Sequence, residues 1–177
     1  MTATTNSATA TSSDTINALL GQVDDYVNAL NALPSKDRLS QDTLDLIYSF
    51  AYTQIQHGRI KQAREYLALL LVYAPTDTRY LSAMAHCCEK DGHTDEAIQM
   101  YSLALYIAPQ SCQLALALAE SLLRRGATDA ASQLFQQIVR IGTSPDDARY
   151  RFRAELWLQT LSRGGAAQAT RTGAAIA

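Results

Sequence analysis

The sequence has no apolar run long enough to cross a membrane: the longest, Tyr66 to Pro75, is about half of what a bilayer-spanning helix requires. No basic stretch leads into an apolar one at the N-terminus, so no secretory signal is predicted and the chain reads as soluble and cytoplasmic. Charge is sparse. Charged residues make up 18% of the chain, and 15 basic against 17 acidic side chains leave a formal charge of −2. That balance offers no basic face for nucleic acid, so neither direct nucleic-acid binding nor membrane insertion is expected. Cysteine is limited to Cys87, Cys88 and Cys112, an odd count without ligand spacing. Neighbours on a helix point about 100° apart, so Cys87 and Cys88 cannot chelate as a Cys-x-x-Cys pair does. All three are expected to behave as small buried hydrophobes. Also missing are a glycine-rich phosphate loop, a His-Glu-x-x-His pair, a nucleophile elbow and an aspartate cluster of metal spacing. The chain is therefore expected to be no enzyme and to carry no cofactor or metal.

What the sequence does hold is a period of 34. Gly58, Gly92 and Gly126 are separated by it, as are Ala51, Ala85 and Ala119, then Ala63, Ala97 and Ala131, then Leu67, Tyr101 and Phe135, and finally Pro75 and Pro109. Small residues at two fixed positions, a mid-repeat glycine and a closing proline at this period resemble the tetratricopeptide repeat. Each repeat is then a pair of antiparallel helices, A and B, whose small residues lie where the backbones come closest, so that a bulky side chain there overpacks. The glycines close the A helices, because a left-handed residue ends a helix and glycine adopts that conformation without a Cβ penalty. His57 and His93 fall in these turns. The prolines stop the B helices, having no N–H to continue the ladder. The third repeat has Thr143 in that column and Pro145 two residues on, and the array ends there.

The fold expected is all-α, a three-pair array flanked by two further helices, in a single domain over residues 14–163. Residues 1–13, mostly Thr, Ser, Ala and Asn, have no apolar period and are predicted to be disordered. A helix is predicted over 14–33, with Ile16, Leu19, Leu20, Val23, Tyr26, Val27 and Leu30 on one stripe. The stripe either folds back on its own repeats or pairs with a second subunit, in which case Ile16, Leu19, Leu20, Val23 and Val27 are its dimerisation residues. Residues 34–38 separate it from repeats at about 44–77, 78–111 and 112–145. The predicted pairs run 41–56 with 61–73, 77–91 with 95–107, and 111–125 with 128–141, with Ser40 capping the first helix and Asp42 in its first turn. A capping helix over 147–162 carries Phe152, Leu156, Trp157 and Leu161, as an open array needs, and 164–177 is predicted to be a flexible tail.

In such an array the A helices line the concave face. Counting from the repeat frame, the first contributes Asp45, Tyr48, Tyr52 and Ile55, the second Arg79, Ser82, His86 and Glu89, and the third Gln113, Leu116, Glu120 and Leu123. These positions are the candidate peptide-binding groove. Tyr48 and Tyr52, one turn apart, read either as groove anchors or as packing beneath the N-terminal helix. A clamp for a C-terminal carboxylate places Lys and Asn on the first A helix, where this chain has tyrosines, so that ligand is not expected.

Over about residues 14–162 the chain resembles the class II translocator chaperones of bacterial type III secretion, the LcrH/SycD group. The resemblance rests on the segment LSQDTLDLIYSFAYTQIQHGRIKQA (39–63), on an amphipathic helix preceding three repeats, and on the closing DARYRFRAELWLQTL. It implies a small cytoplasmic homodimer that binds hydrophobic pore-forming translocators before export and keeps them apart, taking an extended client segment in the concave groove. It also implies that Tyr48 is a groove aromatic, that Tyr52 occupies a Phe or Tyr position and that Arg79 is a recurring arginine. Ile55 and Ile60 stand where some relatives have tyrosine, and His86 where they have a small residue. The family is linked to assisting a transcription activator as well. The rival readings are a repeat chaperone for a needle subunit or export component, whose clients want a wider and more continuous apolar groove, and a regulatory or scaffold adaptor for a folded partner.

Overall fold

The computed structural model of the chain describes residues 21–32 and 38–173, with side chains as far as residue 163. Ile16, Leu19 and Leu20, like residues 1–13 and 174–177, lie outside the described residues. Residues 21–31 form helix α1. Three helix pairs follow: α2 (Gln41–Gln56) with α3 (Ile60–Tyr73), α4 (Thr78–Lys90) with α5 (Thr94–Ile107), and α6 (Cys112–Arg125) with α7 (Thr128–Ile141). A short 3-10 turn, Pro145–Asp147, leads into α8 (Ala148–Gly173). There is no strand among the described residues.

Each A helix opens on a side-chain cap. Ser40 Oγ accepts the Thr43 N–H at 3.3 Å, the Asp77 carboxylate accepts that of Arg79 at 2.9 Å, and Ser111 Oγ accepts that of Leu114 at 3.3 Å. Each is closed by its glycine, with φ of +70° at Gly58, +85° at Gly92 and +87° at Gly126. The left-handed residue lets the next N–H reach back along the helix, as in Arg59 to the Gln54 carbonyl (2.9 Å), His93 to Cys88 (2.8 Å) and Ala127 to Leu122 (2.9 Å). The B helices begin at once and need no side-chain cap.

The six repeat alanines, Ala51, Ala63, Ala85, Ala97, Ala119 and Ala131, are all fully buried, which places the helix pairs in contact at the positions the period predicts. The three cysteines are buried too. The apolar interior has two centres. One joins the first two pairs around Leu67, Leu70, Tyr80, Tyr101 and Ala104. The other joins α6 and α7 to α8 around Phe135 and Ile138, with Trp157 stacked on Phe135 at 6.1 Å between centroids. Ala154 of α8 is fully buried and lies 35 residues after Ala119, so α8 takes the place of a fourth A helix, displaced by one residue through the Thr143-Ser144 turn. It continues to Gly173, where the lack of an apolar period predicts a loose tail from 164; Ala166, Ala167 and Ala169 give the stretch helical propensity of its own.

Helix α1 is tied to its own chain. The Tyr106 hydroxyl on α5 donates to Asp24 at 2.6 Å, and Thr76, in the loop before α4, donates to Asn31. Val23 and Tyr26 nevertheless remain exposed, at 36% and 58%.

Candidate functional site

Helices α2, α4 and α6 together line a cleft with two adjoining cavities. The first, of about 310 Å³, is walled by Tyr48, Tyr52 and Ile55 of α2, Ser82, Ala83 and His86 of α4, and Gln113, Leu114 and Ala117 of α6, with Tyr101 of α5 as its floor. The second, of about 390 Å³, shares His86, Tyr101 and Ala117 and adds Glu89, Lys90, Glu120 and Arg124.

The aromatic wall is built in two ways. Tyr48 is half-buried, its ring tilted against that of Tyr80 at 5.3 Å, and burial pushes its hydroxyl pKa up. Tyr52, one turn on, is 53% exposed. Arg79 holds the mouth: it donates to Asp77 from Nε at 3.2 Å and from a terminal nitrogen at 2.8 Å, and pairs with Asp45 at 3.2 Å. Its guanidinium lies 5.8 Å from the Tyr48 ring centre and 5.3 Å from that of Tyr80, close enough for cation–π attraction to fix both rings. Asp45 and Arg79 thus frame the cleft from outside the first cavity. Ser82 points its hydroxyl at the Arg79 carbonyl, 3.0 Å away.

Toward the second cavity the lining becomes charged. Glu89 accepts from the Ser121 hydroxyl and from Arg124, and His86 Nδ1 stands 3.8 Å from its other oxygen. Burial, followed by the charges of Lys90 and Arg124, lowers the His86 pKa, so the imidazole is neutral at pH 7. Glu120 is gripped from α8 by Arg153 at 2.6 Å and by the Trp157 indole N–H at 3.1 Å. Gln113 accepts from the Tyr150 hydroxyl, also on α8, at 3.2 Å. Burial pushes Tyr101 up to about 12, so the floor stays uncharged.

Of the twelve residues singled out from the sequence, Tyr48, Tyr52, Ile55, Ser82, His86 and Gln113 meet in the first cavity, Glu89 and Glu120 in the second with His86, and Asp45 and Arg79 at the rim. Leu116 and Leu123 do not join them. Leu116 is 6% exposed and belongs to the core between α6, α7 and α8; Leu123 is half-buried against that same core. The reason is α8, which packs on α6 and α7 and buries a face that is open in the first repeat. On α6 the cleft is lined instead by Gln113, Ala117, Glu120 and Arg124, spaced four, three and four apart as one helical face requires. Residue counting also misses Tyr101, because it sits on a B helix. The one hint is its hydroxyl, in a column otherwise filled by Leu67 and Phe135.

Tetratricopeptide-repeat family models match residues 44–77 and 90–156. No curated protein matches the sequence significantly. Among solved structures the chain is similar to the Yersinia enterocolitica type III secretion translocator chaperone SycD, at 25% identity and a TM-score of 0.65, over 68% of this chain and 91% of that one. It is similar to SycD in complex with a peptide of the translocator YopD, at 25% identity and a TM-score of 0.68, over 73% and 99%. A third is PcrH, from Pseudomonas aeruginosa, in complex with the chaperone-binding region of PopB, at 25% identity and a TM-score of 0.65, over 68% and 98%. The chain is a tetratricopeptide-repeat protein. The solved structures it is similar to include type III secretion translocator chaperones, the class its sequence resembles.

Proposed function

We propose that this protein is a cytoplasmic, non-enzymatic chaperone that holds an extended segment of a hydrophobic type III secretion translocator in the cleft of α2, α4 and α6, keeping the client soluble until export. The observation that carries this reading is the open aromatic wall: Tyr52, half exposed beside Tyr48 and Ile55, around a cavity large enough for one aliphatic side chain or proline. Solvent-facing aromatic area in a concave cleft gains free energy when an apolar side chain displaces its water. Relatives of the same architecture have been crystallised with translocator peptides. A needle-subunit or export-component client wants a continuous apolar trough, and the charged second cavity interrupts one here.

The same reading includes a homodimer. Val23 and Tyr26 on α1, and Leu46, Phe50, Tyr66 and Leu69 on the first pair, expose apolar area that a second copy would cover. No helix among the described residues is long and apolar enough to cross a membrane. The test is co-purification from a native host, followed by identification of the bound chain. The expected partner is a large protein with membrane-active apolar segments; a small amphipathic helical subunit or a folded regulator in its place would overturn the proposal.

A further inference from the structure

The two cavities differ in what they turn toward a ligand. In the second, both carboxylates are engaged inward: the Glu89 side chain is 13% exposed and held by Ser121 and Arg124, and that of Glu120 is 17% exposed and held by Arg153 and Trp157. The cations are the accessible groups. The Arg124 side chain is 49% exposed, and Lys90, in the last turn of α4, makes no ion pair among the described residues. The lining balances Lys90 and Arg124 against Glu89 and Glu120, and Arg153 from α8 neutralises Glu120 from outside the cavity. His86, neutral at pH 7, stands at the boundary as a hydrogen-bonding wall.

We propose that the client segment is bipartite: an aliphatic or proline residue fills the aromatic cavity, and an acidic side chain further along the segment seats against Lys90 and Arg124. This rests on the groove reading above and adds a charge requirement to it. A lysine in the second cavity would meet two cations, with Glu120 already held on both oxygens and Glu89 on one. An aspartate or glutamate would accept charge-assisted hydrogen bonds from donors that point into the cleft. The cavities are neighbours, sharing His86, Tyr101 and Ala117. With helices packed about 10 Å apart and an extended chain rising about 3.3 Å per residue, anchor and carboxylate are about three residues apart. Because partners of this kind are repelled as well as attracted, the charge contributes selectivity more than raw affinity.

The experiment uses short end-blocked peptides with a common leucine-proline anchor and Asp, Asn or Lys placed about three residues after it. They are titrated by fluorescence anisotropy against the full chain and against Lys90→Glu. Lys90 is exposed, so the substitution leaves the fold intact, as a melting curve checks. The Asp peptide is expected to bind about tenfold more tightly than the Lys peptide at low salt, with Asn between them and the gap narrowing as salt rises. Lys90→Glu should remove or reverse that order. Equal affinity for all three peptides, or an order that Lys90→Glu does not alter, would overturn the inference and leave the groove reading standing. Failure of every peptide to bind the folded protein would overturn both.

Discussion

Tyr48 and Leu116 hold the same place in the first and third repeats, two periods apart, yet one lines an open cavity and the other is 6% exposed in a core. The difference comes from outside the repeat. α8 stacks on the third pair, burying Leu116 and tying Gln113 and Glu120 to itself through Tyr150, Arg153 and Trp157. Among the described residues no comparable helix closes the cleft over α2, and there the first repeat keeps its aromatic face accessible. Equivalent positions in an array therefore differ in function according to what the chain ends lay over them. The cleft grades from aromatic at α2 to charged at the end that α8 bridges.

The largest effect that sharpens this contrast is expected from Leu116→Ala. A side chain buried in the α6–α7–α8 core should cost about 2–5 kcal/mol, read as a lower melting temperature, with client-peptide affinity in the folded fraction unchanged. Loss of peptide binding without loss of stability would return Leu116 to the cleft and break the comparison. Next comes Ala97→Leu, which overpacks the contact between α4 and α5 at a fully buried position shared by all three repeats. About 1–3 kcal/mol of destabilisation is expected by chemical denaturation; an unchanged midpoint would mean that the helix pairs do not meet there.

A smaller effect belongs to pH. Burial raises Cys87 from its ordinary 9.0 to about 11 and Tyr101 from 10.0 to about 12. Both groups are neutral in the folded chain and ionise more readily once unfolded. Their contribution is complete below about pH 9 and is lost as pH rises through 9 to 12. A pH series of melting curves should fall through that window, and Cys87→Ala should flatten its lower part.

The period of 34 carried most of the architecture, because a repeat constrains alanines, glycines and prolines at once, and each has its own steric reason for its place. Ala51 and Ala131 were readable in this way without any neighbour being known. The first cavity was half legible, since Tyr48, Tyr52 and Ile55 share one face of one helix. Leu116 was not, because its burial depends on α8, which lies outside the repeat and enters one residue out of step. Tyr101 escaped for a related reason: it sits on a B helix, buried at 4% exposure, and only the packing of neighbouring pairs brings it to the base of both cavities. The inward pairing of Glu89 and Glu120 depends on Arg124 and Arg153, 35 and 33 residues distant, and no local pattern marks either pair.

The central claim is that the aromatic wall binds the client and is not simply core. It is tested most directly by titrating a client-derived peptide against Tyr52→Ala, and against Tyr48→Ala with Tyr52→Ala, with melting curves on the same samples. Tyr52 is 53% exposed, so its truncation should leave stability nearly unchanged and weaken binding by about 2 kcal/mol, roughly 30-fold. The double variant should lose detectable binding, with a moderate stability cost from the Tyr48 contact with Tyr80. Reduced stability with undiminished peptide affinity in the folded fraction would contradict the account, making both tyrosines structural and leaving the cleft without its anchors.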